Sequence, residues 1–503
     1  MKSISKNMII SIFTRIITLI TGLIVQEKIL SVYGSSLNGL TSSITQVMSY
    51  LVLLEAGLGT ASIQALYNPL SLGKWSKVSG IITATEKEYR KIAVTFFICL
   101  ILASFLLPLA VKGQIELVIA GLLTFITGGS YIISYIIGGK YKVLLIADRK
   151  LYILNTLDMC SIILSCILRV WALNRGMGIV TVQVINLICV VIKNIGYFLY
   201  VKNKYNKINY QENPDLFAIS KRWNVLVHTL SGIIVNHTDI MILTIFSNLK
   251  VVSVYSVYNL VFSQLNTTIQ STFLTAPQAN FGQLFNNDKD KFEKVYGIYE
   301  TAFIILLFII VSISLIMILP FVFIYTKNVS DINYLNIYLP ILFALILLFS
   351  QIRVPAIMLI NIAGTYRETQ NGAIAESAIN LIVSLMLFFG TSLGLYGLLI
   401  GTICSYMYRT TDVIIFTYKN ILKRKVTLFL KNIIINFILM IMLYIVFNIF
   451  WPLNVNSYTI WIIKSCLISI MCCFVYVIGN YIFNKEEITL LIKFSIKKLK
   501  GEN

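Results

Sequence analysis

Three arginines occur in stretches of the chain that are otherwise apolar: Arg15, Arg353 and Arg409. A charged residue at the centre of a membrane-inserted helix costs roughly 2.5 to 3.5 kcal/mol, so each guanidinium needs a partner or water. For Arg15 and Arg353 the alternatives are a place in a water-filled cavity and a structural role. Arg409 is followed three residues later by Asp412, which could serve as its structural partner.

Polar side chains line one face of two other apolar stretches. At 100° per residue, one face carries Ser42, Gln46 and Ser49, and a face of a later stretch carries Ser256, Asn259, Ser263, Asn266, Thr267 and Gln270. Such faces at membrane depth indicate a water-filled cavity or a partner helix. The alternative is that these side chains bond to their own backbone or join helices.

Titratable side chains suggest a coupling ion. His228 and Asp239 project within about 20° of each other and lie about 16 Å apart along a helix, so both could border one aqueous path, as in a proton relay. The alternative is an ordinary interhelical histidine. Glu55 could pair with a neighbouring helix or bind a coupling ion, whereas Arg169 and Lys193 lie nearer the ends of apolar stretches, where long side chains reach the interface.

The elements that hold these residues are predicted to be membrane helices. Of 503 residues, 57% are hydrophobic and 12% are charged, about half the charged share of a soluble domain. Apolar stretches long enough to cross a hydrocarbon core recur throughout. They predict an all-α integral membrane protein of about fourteen transmembrane helices, at 8–30, 37–66, 92–111, 115–137, 151–172, 179–200, 223–246, 252–275, 298–324, 337–360, 371–390, 395–417, 428–451 and 458–483.

The net charge of +20 follows the predicted topology. Most Lys and Arg residues fall in alternate loops, and the other loops hold only Lys112, Arg175, Lys250 and Lys327. The positive-inside rule then places both termini in the cytoplasm. The basic loops are explained by topology and by attraction to anionic membrane lipids, and no nucleic-acid partner is expected.

A weak internal repeat predicts two lobes. Residues 33–51 can be aligned with 247–265, and the alignment places Ser42 and Ser49 on Ser256 and Ser263. We therefore expect a six-helix lobe at 1–210, a second at 211–422, and two additional helices with a basic tail at 423–503.

The predicted loops are too short for a soluble catalytic domain. No phosphate-binding loop, nucleophile motif or metal-ligand spacing is present in the sequence, so we expect neither an enzyme nor a cofactor or bound metal. Any transport would be driven by gradients, with H⁺ or Na⁺ as the coupling ion, or by the membrane potential.

Several segments resemble the bacterial polysaccharide repeat-unit flippases of the multidrug/oligosaccharidyl-lipid/polysaccharide exporter superfamily. They are Ile4-Ser-Lys-Asn7 with Arg15, Glu55-Ala-Gly-Leu-Gly-Thr-Ala-Ser62, Leu66-Tyr-Asn-Pro69, Val254-Tyr-Ser-Val-Tyr-Asn259 and Phe281-Gly282. The resemblance implies a V-shaped, two-lobe bundle in a bacterial cytoplasmic membrane that works by alternating access. Its cargo would be an undecaprenyl-pyrophosphate-linked oligosaccharide for O-antigen, capsule or a similar surface glycan, with a polysaccharide polymerase and other assembly proteins as partners.

The cavity of such proteins is often cationic, which makes Arg15 and Arg353 candidate contacts for a pyrophosphate. One rival is a cation-coupled multidrug antiporter of the same superfamily, for which a buried carboxylate such as Glu55, Asp158, Asp239 or Glu376 would be expected. A membrane glycan polymerase is a second rival, but the short outside loops argue against it.

Overall fold

The computed structural model describes residues 2–218, 223–450, 455–483 and 489, with side chains for all of these except 2–6, 8, 9, 223–231 and 428. Within these ranges the chain forms helices and no strand, which confirms the all-α fold. The α-helices are α1 (Lys2–Leu51), α2 (Leu58–Ser71), α3 (Trp75–Ala110), α4 (Leu117–Ile133), α5 (Gly139–Ala147), α6 (Leu151–Asn174), α7 (Ile179–Lys204), α8 (Trp223–Phe246), α9 (Leu249–Ile269), α10 (Ala276–Asn287), α11 (Lys289–Tyr325), α12 (Tyr338–Ile352), α13 (Val354–Ala363), α14 (Gln370–Gly390), α15 (Leu395–Phe416), α16 (Thr427–Phe450) and α17 (Tyr458–Phe483).

Helices occupy all the predicted membrane-spanning positions. In the described ranges, 10 helices are long and apolar enough to cross a membrane, and the first of them, Ile10–Glu55, extends from the first predicted span into the second. Three π-helical segments, Ser134–Gly138, Gln270–Thr275 and Thr417–Leu422, interrupt or extend the longer helices.

Within the first two predicted spans, glycines set helix boundaries that the hydropathy pattern does not predict. Gly34 has φ 79° and ψ −177°, so α1 consists of two helices joined at a kink. The predicted second span, 37–66, ends early at Leu51, because a short 3₁₀ turn follows and Gly57 has φ 82° before α2 begins. A positive φ is readily adopted by glycine and ends a right-handed helix.

The described contacts divide the chain into two compact units. Unit 1 comprises Met1–Ser256 and Val329–Ile332. In it α1 packs on α6 and α8, α3 packs on α4, and α7 packs on α4 and α6. Its core consists of aliphatic and aromatic side chains such as Leu40 and Phe96, both fully buried.

The second half of α1 is held by polar contacts within unit 1. Asp331 accepts hydrogen bonds from the backbone N–H of Ser35 at 3.1 Å and from its hydroxyl at 2.5 Å. This carboxylate therefore caps the helix that begins after Gly34, where the first N–H groups lack intrahelical acceptors. Further along, Asn38 donates to the Ser253 hydroxyl at 2.7 Å.

Unit 2 comprises Val257–Asn328 and Asn333–Asn503. Here α14 packs on α15, α12 packs on α11 and α15, and the C-terminal pair α16 and α17 packs on α11. The Tyr476 and Ser312 hydroxyls lie 2.7 Å apart, and the Asn436 and Asn480 amides bond to each other at 2.8 and 3.2 Å. Such buried polar pairs join helices in a membrane, where apolar contacts with lipid compete with apolar contacts between helices.

Candidate functional site

Unit 1 contains a polar cavity of about 460 Å³ bordered by α1, α4, α6 and α7. Most of its lining side chains carry a hydroxyl or an amide: Thr18, Thr21, Gln26, Asn38, Thr41, Ser42, Thr45, Thr127, Ser130, Tyr131, Ser161, Ser165, Gln183 and Asn186. Polar groups at this density provide both donors and acceptors for a hydroxyl-rich ligand.

Two cations, Arg169 and Lys193, also line this cavity, and no Asp or Glu is found among its described lining residues. The Arg169 Nε is buried and has no hydrogen-bond partner within the described part of the chain. The Lys193 ammonium pairs with Asp158 at 3.1 Å, and that carboxylate also accepts the Tyr197 hydroxyl at 2.8 Å. The described lining residues therefore carry positive charge, since Asp158 pairs with Lys193 and no carboxylate pairs with Arg169 among the described residues.

Arg169 and Lys193, which were expected to reach the membrane interface, line this cavity. Both lie on polar stripes that the sequence contains: Ser161, Ser165 and Arg169 are spaced by four residues on α6, and Gln183, Asn186, Val190 and Lys193 share a face of α7. The helical spacing could have placed these cations on a common surface with the hydroxyls and amides.

The predicted polar face of α1 divides between the cavity and other contacts. Ser42 lines the cavity and donates to the Asn38 carbonyl at 3.1 Å. Gln46 is buried and its amide oxygen contacts the His237 ring. Ser49 donates to the carbonyl of Thr45 at 3.0 Å, the backbone bond considered as the alternative.

Arg15 is exposed on the first half of α1 and is not among the cavity-lining residues.

In unit 2, Arg353 and Arg409 converge on Glu376. The Arg353 guanidinium lies 2.6 Å from Glu376 Oε1 and 5.1 Å from the centre of the Tyr406 ring. Arg353 occupies the break between α12 and α13, two residues before Pro355, and its side chain contacts α14 and α15.

The second arginine completes a network of four charges, of which Asp412 is partly exposed. Arg409 donates to Asp412 at 2.6 Å, as its spacing predicts, and its Nε lies 3.7 Å from Glu376 Oε2. Gly372 provides the space for this pair, because a Cβ there would collide with both side chains. Two arginines and two carboxylates balance, so this network adds no net charge to unit 2.

The polar face of α9 makes contacts of its own in unit 2. Asn266 accepts from Gln270 at 3.2 Å and from Gln351, a fully buried side chain of α12. Ser263 bonds to the Leu260 carbonyl at 3.3 Å, and Asn259 is half-buried. The structure therefore places one member of this stripe, Asn266, in a helix-joining contact.

The proposed ion-coupling residues are distributed over unit 1. Asp239 is buried and accepts the Tyr255 hydroxyl at 3.3 Å. Glu55 accepts the Tyr89 hydroxyl at 2.8 Å. The side chain of His228 lies outside the described residues, and the idea of a relay between His228 and Asp239 stays a prediction.

Similar folds occur in solved structures of transporters. The inward closed conformation of the lipid II flippase MurJ matches with a TM-score of 0.68 and 15% identity over 96% of this chain and 99% of that chain. An inward-facing multidrug resistance MATE family transporter of the MOP superfamily matches with a TM-score of 0.63 and 13% identity over 85% and 95%. A MOP superfamily transporter from Pyrococcus furiosus matches with a TM-score of 0.55 and 14% identity over 84% and 97%.

These likenesses establish the fold. The chain is a multi-pass membrane protein whose described helices adopt the fold of MOP superfamily transporters. No protein-family model and no curated protein sequence matches it.

Proposed function

We propose that this protein is a flippase that moves an undecaprenyl-pyrophosphate-linked oligosaccharide repeat unit from the inner to the outer leaflet of a bacterial cytoplasmic membrane. The cargo joins a strongly anionic group to a hydroxyl-rich chain, and its transfer would supply units for a surface polysaccharide. A neighbour of the same fold is a lipid II flippase, which makes a lipid-linked cargo a reasonable class for this chain.

The observation that carries the proposal is the buried Nε of Arg169 in a cavity wall without carboxylates among its described lining residues. A buried guanidinium N–H without an acceptor is costly, and a phosphate oxygen is an acceptor whose geometry matches the guanidinium. Lys193 adds a second cation, and hydroxyl and amide groups on α1, α4, α6 and α7 can bond to sugars.

The same wall does not suit a cationic drug. A cationic ligand would be repelled by Arg169 and Lys193, and Asp158 is already engaged by Lys193 and Tyr197. We therefore favour an anionic cargo over the cargo of a multidrug antiporter.

The test is transport of a fluorescent undecaprenyl-pyrophosphate oligosaccharide in proteoliposomes. We expect Arg169→Ala to lower the initial rate about 10- to 100-fold, the equivalent of one lost hydrogen bond to a charged group, and Arg169→Lys to lower it less. The matched control is Arg175→Ala, because Arg175 is an exposed arginine just beyond the end of α6 that stacks on Trp171.

Two results would count against the proposal. Wild-type rates for Arg169→Ala, with normal amounts of folded protein, would remove the cavity from the transport path. Uptake of a lipophilic cation such as tetraphenylphosphonium, without flipping of the pyrophosphate lipid, would instead favour the multidrug antiporter.

A further inference from the structure

A second unusual arginine, Arg424, lies in unit 2 between the π-helical segment Thr417–Leu422 and α16. Its guanidinium is held between two tyrosine rings, 5.8 Å from the centre of Tyr296 on α11 and 5.7 Å from the centre of Tyr418. The backbone N–H of Arg424 donates to the Tyr418 carbonyl at 3.2 Å. The two rings therefore hold the guanidinium, and the hydrogen bond holds the backbone at Arg424.

The nearby carboxylate is engaged by two tyrosine hydroxyls. Glu300 is buried, and its two oxygens accept the hydroxyls of Tyr296 at 3.1 Å and Tyr418 at 2.6 Å. The Arg424 Nε and Nη2 have no hydrogen-bond partner among the described residues. The ring faces attract the positive charge, but they give these two buried nitrogens no strong acceptor.

The surroundings of Arg424 add positive charge. Lys423 and Lys425 flank it in the sequence and are exposed, as is Lys419 one turn earlier. Lys423 has φ 53°, an uncommon backbone conformation for a non-glycine residue, and it ends the π-helical segment. This connection is also predicted to lie on the cytoplasmic side, at the boundary between the membrane and water.

We infer that Arg424, together with Lys423 and Lys425, forms a binding site for the phosphate group of an anionic lipid in the inner leaflet. A phosphate oxygen accepts from the fixed guanidinium, and the two flexible ammonium groups neutralise the remaining charge. Tyr296 and Tyr418 orient the arginine through their rings, and they also occupy Glu300, which would otherwise compete for it. This site uses none of the cavity residues of unit 1 and goes beyond the proposed transport activity.

The experiment measures lipid binding by the purified full-length protein. Native mass spectrometry after exchange into phosphatidylglycerol or phosphatidylcholine gives the bound lipid and its apparent affinity without any cargo, so the result is independent of the flippase proposal. We expect phosphatidylglycerol to be retained, Arg424→Gln to weaken its binding at least about tenfold, and Arg424→Lys to weaken it less. Lys74→Gln, which removes an exposed lysine from a predicted cytoplasmic loop of unit 1, is the matched control and should leave the affinity unchanged.

Arg424 is partly enclosed, so its variants could disturb folding. The double variant Lys423→Gln/Lys425→Gln changes only exposed side chains and should still weaken phosphatidylglycerol binding several-fold. Equal retention of phosphatidylcholine, or unchanged affinity in both sets of variants, would overturn the site. Displacement of the lipid by millimolar inorganic phosphate would assign the site to a soluble phosphate and overturn the lipid assignment.

Discussion

Replacing Glu376 with Gln tests whether the four-charge network in unit 2 depends on charge balance. The change keeps an amide oxygen that can accept from Arg353 but removes the negative charge shared by both arginines. The side chains of Arg353, Glu376 and Arg409 are only 14%, 10% and 9% exposed, so water cannot replace that charge. Two unit charges about 4 Å apart interact by about 4 kcal/mol at an effective dielectric constant of 20.

We therefore expect Glu376→Gln to lower the free energy of unfolding by about 3 to 5 kcal/mol, the usual cost of leaving a buried charge unpaired. Equilibrium unfolding in mixed micelles with increasing sodium dodecyl sulfate, followed by tryptophan fluorescence, measures this change. The matched control is Glu293→Gln, because Glu293 is an exposed carboxylate of the same unit and an exposed charge contributes at most about 1 kcal/mol.

A second variant separates charge balance from packing. Arg353→Met/Glu376→Met removes one cation and one anion together and leaves Arg409 with Asp412 at 2.6 Å. Replacing a buried pair with apolar side chains of similar size is often neutral, so this double variant should be at least about 2 kcal/mol more stable than Glu376→Gln. The reasoning is refuted if Glu376→Gln costs less than about 1 kcal/mol, or if the double variant is the less stable of the two.

Three further changes in unit 1 have defined outcomes by the same unfolding assay. Gly39→Ala should cost about 1 to 3 kcal/mol, because the added Cβ would collide with the Leu249 carbonyl, and a neutral result would mean that the two backbones can separate freely. A Cβ at Gly22 would meet open space, and alanine is favoured over glycine inside a helix, so Gly22→Ala should raise the free energy of unfolding by about 0.5 to 1 kcal/mol. A lower free energy of unfolding would contradict the described packing. Asp331→Ala removes the helix cap on Ser35 and should lower the free energy of unfolding by about 1 kcal/mol, and Asp331→Asn should lower it less. Equal decreases in the two variants would show that the cap is not the cause.

The positions of the helices could be predicted from the sequence because they depend on the hydropathy of consecutive residues. A run of about twenty apolar residues has to form a helix in a membrane, since each backbone polar group must be satisfied within the segment. Predicted and observed bounds agree to within one residue at α14 (Gln370–Gly390) and α15 (Leu395–Phe416). The break of the predicted second span at Gly57 depended on a local backbone conformation that hydropathy does not report.

Partnerships between helices were decided only by the tertiary structure. Helical spacing predicts the pairing of Arg409 with Asp412, three residues away, but not that of Arg353 with Glu376, which lies on another helix. Periodicity shows which side chains share a face, whereas the charge on that face depends on which helix covers it. For the same reason Arg169, which looked like an interfacial residue, lines a cavity without described carboxylates, because α1, α4 and α7 supply its surroundings.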